Sequence, residues 1–114
     1  MPSIEIRRYR TVSGAEPFGD WLLRLRDRQA KARVLVRIDR LESGNFGDCK
    51  ALRGGVHELR IDRGPGYRAY FGRDGNLLVI LLIGGDKRTQ ATDIKRALEY
   101  WQDYKRRSGF DESA

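Results

Sequence analysis

Cysteine and histidine are nearly absent: Cys49 and His57 are single residues in a chain of 114. One cysteine excludes an internal disulfide, and one of each cannot build a zinc site. The lone thiol suits a reducing cytoplasm, which is the expected location. No apolar run exceeds Leu77–Ile83, far too short to span a bilayer, so no membrane association is expected. Residues 1–10 alternate charged and apolar side chains and carry no secretory h-region. Gly85-Asp86-Lys87 lacks the upstream glycine of a Walker loop, and Gly64-Pro65-Gly66 reads as a turn rather than a dinucleotide fingerprint. Nothing places His57 near a nucleophile. Redox, kinase and protease chemistry therefore fall away, and neither a metal nor a cofactor is expected.

Charge of one sign is abundant. Lys and Arg number 23 against 16 Asp and Glu, a net charge of +7, with arginine far ahead of lysine. Arginine offers a planar fork that suits phosphate and stays charged at any working pH. This balance predicts an anionic partner: nucleic acid, an acidic protein, or both. The plainer alternative is a basic surface without function. With 39% hydrophobic residues in periodic patterns, the chain is not disordered.

The periods mark the elements. Ile4-Glu5-Ile6-Arg7 alternates as a first strand running to about Arg10. Ser13 is a candidate N-cap for a helix in which Phe18, Trp21, Leu22 and Leu25 form one stripe and Arg24, Arg26 and Arg28 the other face. A second helix starts near Gln29, with Ala30, Val34, Ile38 and Leu41 as its stripe and Gly44 as its stop. Residues 45–54 read as a loop. Val56–Asp62 and Tyr67–Arg73 are strands by their period of two, and Asp74-Gly75 predicts a type I′ hairpin. Leu77–Ile83, apolar on both faces, is a buried strand. Gly84-Gly85 leaves the sheet, and Thr92 or Asp93 caps a last helix lined by Ile94, Ala97, Leu98, Trp101 and Tyr104. The expected fold is α+β in the order β-α-α-β-β-β-α: a four-stranded, mainly antiparallel twisted sheet, two N-terminal helices on one side and a C-terminal helix. Residues 1–108 are expected to form one domain and 109–114 a loose tail.

Strand residues two apart share a face. Glu58 and Arg60 on one strand, and Arg68 and Tyr70 on the next, are thus expected on one solvent-facing surface, with Lys87 and Arg88 emerging from the adjacent strand's end. Such a surface could hold a phosphodiester and stack a base; the alternative is an ordinary solvated sheet face with Glu–Arg pairs. His57 has the parity of Leu59 and Ile61 and reads as a partly buried structural histidine. Trp21 and Trp101 read as core. Arg24, Arg26, Arg28, Lys31 and Arg33 read as a solvated helical face, although they could also grip phosphates.

Leu52-Arg53-Gly54-Gly55-Val56-His57-Glu58-Leu59-Arg60-Ile61, Gly66-Tyr67-Arg68-Ala69-Tyr70-Phe71, Leu81-Leu82-Ile83-Gly84-Gly85-Asp86-Lys87, Gln90 and Asp93-Ile94-Lys95-Arg96-Ala97 resemble the RelE/ParE toxins. The nearest branch is the HigB-like, phage-related addiction-module killer group. The resemblance implies the toxin of a type II toxin–antitoxin system, a metal-independent endonuclease that cuts mRNA on the ribosome. It implies that Arg68 stabilises the phosphorane charge, Lys87 serves the scissile phosphate or leaving oxygen, and Arg60 binds the RNA backbone. Tyr70 would stack or orient a base, and Glu58, Arg88 and Arg53 would complete the RNA-binding set. It also implies a neutralising antitoxin, of helix-turn-helix type, that carries most of the contact with operator DNA. The chain departs from the pattern in having Thr92-Asp93-Ile94 where some RNA-cutting members have a tyrosine or histidine, and Glu58 where some carry a lysine. The alternatives are a ParE-like gyrase inhibitor without nuclease activity and a non-toxic basic nucleic-acid-binding module.

Overall fold

The computed structural model describes residues 3–109. Its order is β1 (Glu5–Arg8), α1 (Pro17–Arg24), α2 (Arg28–Glu42), β2 (Cys49–Ala51), β3 (Val56–Ile61), β4 (Tyr67–Asp74), β5 (Leu78–Asp86) and α3 (Gln90–Ser108). The sheet has five strands, not four, in the order β1-β5-β4-β3-β2. It is mixed: β1 runs parallel to β5 and the other pairs are antiparallel. The additional strand, β2, lies inside the expected loop. At three residues, Cys-Lys-Ala is too short for its alternation to mark a strand, and it is held by pairing Cys49 with Leu59 and Ala51 with His57.

Helices cover both faces of the sheet. The predicted stripes of α1 and α2 place Phe18, Leu22, Val34 and Leu41 against Leu59, Ile61, Ala69, Phe71, Val79 and Leu81. On the opposite face, Ala97 and Trp101 of α3 pack on Val56, Tyr70, Ile80 and Leu82. Burying a side chain such as Phe18 or Leu41 contributes roughly 1.5–3 kcal/mol. The tail expected at 109–114 falls outside the described residues beyond Gly109, which is the left-handed C-cap of α3 (φ 74°).

Several boundaries differ from expectation. Ser13 does not cap α1; Glu16 stands at the N-cap without a side-chain bond, and Pro17 opens the helix. Asp27, by contrast, caps α2, its carboxylate accepting from the Gln29 and Ala30 amides at 3.0 and 3.1 Å. The Asp74-Gly75 turn is not type I′. Asp74 pairs with Leu78 inside the ladder, leaving residues 75–77 as a three-residue connection in which only glycine takes positive φ. Gly84 and Gly85 stay in β5, which ends at Asp86. The last helix begins at Gln90, one turn before Thr92 and Asp93, behind a 3₁₀ turn (Lys87–Thr89) capped by Asp86.

One irregularity governs the site. In β4–β5, Phe71 pairs with Leu81 and Tyr70 with Ile83, so Leu82 is an extra residue and the strand bulges. The bulge exchanges the two faces of β5. Beyond it Gly84 backs the Trp21 ring and Gly85 backs Asp93, and a Cβ at either would lie 2.1 Å from Trp21 Cε3 or 1.8 Å from Asp93 Oδ2.

Candidate active site

Arg60 and Arg68 are register partners on β3 and β4, and Arg68 in turn faces Gly85 on β5. Lys87 follows two residues later in the 3₁₀ turn. The β3–β4 connection folds over this end of the sheet through Gly64-Pro65-Gly66. Gly66 (φ 80°) brings its backbone between two of the cations: a Cβ there would stand 3.4 Å from an Arg68 Nη and 3.6 Å from Lys87 Cβ. These groups, with Asp48 and Asp62, line a cavity of about 330 Å³. The three expected catalytic residues are therefore brought together, three cations against two lining carboxylates. Lys87 is exposed and has no ion-pair partner among the described residues.

The guanidinium groups are held from below by Glu58. This carboxylate is 1% exposed; it accepts from Arg60 Nε at 3.0 Å and from Gln90 Nε2 at 2.7 Å, and Arg68 Nε lies 3.8 Å away. Burial alone would raise its pKa. The hydrogen bonds from Arg60 and Gln90 and the Arg68 charge outweigh burial and hold it below the ordinary range. Glu58 is thus a fixed anion that orients two arginines. The expectation that it touches RNA directly is corrected: α3 and Gln90 close over it.

Tyr70 needs the same correction. Its ring is fully buried beneath α3, so it cannot stack a base from solvent. Burial, reinforced by the nearby Glu58 and Asp93 charges, pushes its hydroxyl pKa well up. That hydroxyl and Arg68 Nε are both buried without a hydrogen-bond partner. Arg88 is outside the cluster, 80% exposed and paired with Asp86 at 3.0 Å. Arg53 is exposed in a 3₁₀ turn before β3, at the other end of that strand from Arg60.

Sequence reasoning assigned no role to Gln90, although it stood in the quoted pattern, or to Arg37. Arg37 donates to the backbone carbonyls of Arg60, Phe46 and Asp48, the last two at 3.1 Å, and ties α2 to the strand that carries Arg60. No periodic signal could have identified either, because both act across long sequence separations. His57 stacks on Phe71, with ring centroids 5.1 Å apart, and burial and then the Arg73 charge lower its pKa. It is a partly buried histidine on the face away from Glu58.

The arrangement supplies donors and positive charge at the open end of the sheet. It can bind an oxyanion and stabilise charge that develops on it. Among the described residues, no group of three or more His, Cys, Asp or Glu forms a metal-binding cluster, and no helix is long and apolar enough to cross a membrane.

A family model described as phage-derived protein Gp49-like matches residues 20–100. An uncharacterised protein of Haemophilus influenzae is 54% identical over 80 residues, which cover 70% of this chain and 81% of that protein. The residues matched by the family model include every residue lining the cavity.

Proposed function

The chain belongs to the phage-derived Gp49-like family, and from that premise we propose that it is the toxin of a type II toxin–antitoxin pair, an endonuclease that cuts mRNA on the ribosome in the cytoplasm. The observation that carries this reading is the convergence of Arg60, Arg68 and Lys87 on one cavity over an ionised Glu58. In the proposed reaction the RNA 2′-hydroxyl gives its proton to solvent water as its oxygen bonds to the adjacent phosphorus, and the bond to the 5′-oxygen breaks as that oxygen takes a proton from the Lys87 ammonium, which regains one from solvent. Arg68 offsets the charge gathered on the non-bridging oxygens, Lys87 serves the departing 5′-oxygen, and Arg60 grips the flanking backbone. The reaction uses positioned charge and no metal. The partners are the ribosome with its mRNA and a neutralising antitoxin of helix-turn-helix type, through which operator DNA is bound.

A second reading is favoured by one observation. Neither His57 nor Tyr70 can act as a base at the cavity, since one lies on the opposite face and the other is buried with a raised pKa. A protein that binds and poisons gyrase needs no such group.

Induced expression in a bacterial host, with mapping of mRNA 5′ ends and a DNA-damage reporter from the same cultures, separates the two. In-frame cuts without damage induction are expected. Damage induction with intact transcripts would assign gyrase as target, and harmless expression would refute both. Arg68→Ala is expected to lower cutting by on the order of 10²–10³, as for loss of one oxyanion-stabilising donor. Full toxicity in a folded Arg68→Ala protein would refute the assigned site.

A further inference from the structure

We propose that the groove between α2 and the end of β3 seats an acidic amphipathic helix of the antitoxin, placed so that its occupant overhangs the active-site cavity. The proposal rests on the toxin reading for the identity of that partner.

The groove has a volume of about 430 Å³ and an apolar floor made by Ala32, Val36 and Ile61. Arg33, Val36, Arg37 and Arg40 fall at i, i+3, i+4 and i+7, so they form one row beside the buried stripe of α2. Val36 is 46% exposed within that row. Arg33 and Arg40 have no carboxylate partner among the described residues; the single bond of Arg33 is a long one to the Asp62 carbonyl, 3.5 Å. An exposed valine between two unpaired arginines is complementary to a helix that carries an apolar residue between two carboxylates. Arg33 and Arg40 are about 10.5 Å apart along the helix axis, two turns of a facing helix. An RNA backbone would pair with the arginines but gain nothing from the apolar floor, so the observations favour a protein.

The groove and the cavity are adjacent. Asp62 lines both, and Arg37 of the groove donates to the carbonyls of Arg60 and Asp48, which flank the cavity. A helix lying on Arg33 and Arg37 therefore stands beside the cavity mouth and restricts entry of an RNA strand. Neutralisation by this route needs no contact with Arg68 or Lys87.

The probe is the purified product of the gene adjoining this one, titrated calorimetrically against the wild-type chain, an Arg33→Glu/Arg40→Glu variant and Val36→Asp. The expected result is an affinity loss on the order of 10- to 100-fold in both variants and a flatter salt dependence in the first. Growth arrest by the variants in the absence of the neighbour should match wild type, and circular dichroism should confirm the fold. Unchanged affinity in both variants overturns the groove and leaves the toxin reading intact. Weakened binding of a short single-stranded RNA, with the protein complex unchanged, assigns the groove to RNA and also overturns the proposal. A neighbour that does not bind even the wild-type chain removes the partner, and with it both the groove and the toxin–antitoxin reading.

Discussion

Glu58→Gln isolates the charge beneath the two arginines. The substitution keeps the shape of the side chain and an oxygen that can accept from Arg60 Nε, 3.0 Å away in the wild type. The new amide meets Gln90 Nε2 donor to donor, but a half-turn of the Gln90 amide presents its oxygen instead and restores that bond at little cost. What is lost is the negative charge. Arg60 is 36% exposed, so its pair with Glu58 is screened by solvent and contributes little, as surface pairs do. Arg68 is 15% exposed, and its buried Nε has no other partner, so leaving it without a counter-charge costs more. Adding the weakening of a charge-assisted hydrogen bond, a total loss of about 2–3 kcal/mol is expected. For a chain of this length that corresponds to a Tm lower by about 8–12 °C. The pH dependence has a definite sign. The folded pKa of Glu58 lies below its unfolded value, so the clamp stabilises above the unfolded value, about 4.3, and is lost as pH falls through the folded one. Thermal unfolding followed by circular dichroism from pH 7 to pH 3 should show the wild type well above the variant at neutral pH and the gap closing in acid. Equal stability at pH 7, or a gap that widens in acid, would refute the view of Glu58 as an ionised clamp.

Two further substitutions probe the ground on which the site rests. Gly84→Ala puts a methyl group 2.1 Å from Trp21 Cε3, and the ring can yield only by unpacking α1; a loss of about 1–3 kcal/mol or more is expected in urea unfolding, and wild-type stability would contradict the packing described. Asp93 is 6% exposed, and burial raises its pKa against the opposing effects of the Thr89 hydroxyl and the Arg96 charge. Its folded form holds the proton more tightly than its unfolded form, so the wild type loses stability as pH rises through the unfolded value. Asp93→Asn can still accept from Thr89 and should be the more stable protein at pH 7, with the advantage vanishing near pH 4; urea titrations at the two values test this, and an Asn variant weaker at pH 7 would refute it.

The helices and most strands were legible because their stripes are strong. Phe18 and Leu22, then Ala30, Val34 and Leu41, occupy the buried positions their spacing predicts. Edges and caps were not, because they depend on partners distant in sequence: β2 exists only through β3, and the cap before α3 comes from Asp86 at the end of β5. The grouping of Arg60, Arg68 and Lys87 followed from parity and from the family resemblance together. Their surroundings did not. Glu58, Arg60, Arg68 and Tyr70 share a face as expected, but polar residues on it disguised a face that is half core. Val56 and Tyr70 lie under α3, Gly72 opens room for the Trp101 ring, and only the end beyond Gln90 remains open.

The both-faced apolar character of Leu78–Ile83 already contains that result. A strand apolar on both sides needs a helix on both sides, and α1 and α2 supply only one. The C-terminal helix must therefore lie on the face that carries Arg68, and its N-terminus fixes where that face ends. The bulge at Leu82 then sets what stands at the end. Without the extra residue Arg68 would oppose Gly84, the glycine that accommodates Trp21, and Lys87 would sit about 3.3 Å farther along the strand axis. With it, Gly85 opposes Arg68 and Lys87 reaches Gly66 at the mouth of the cavity. Two adjacent glycines are needed because consecutive strand residues face opposite sides, and here one side presents an indole and the other a buried carboxyl. The dipeptide that reads in the sequence as an exit from the sheet is the part of β5 that lets α1 and α3 close on opposite sides of the same strand, leaving the cations at its end.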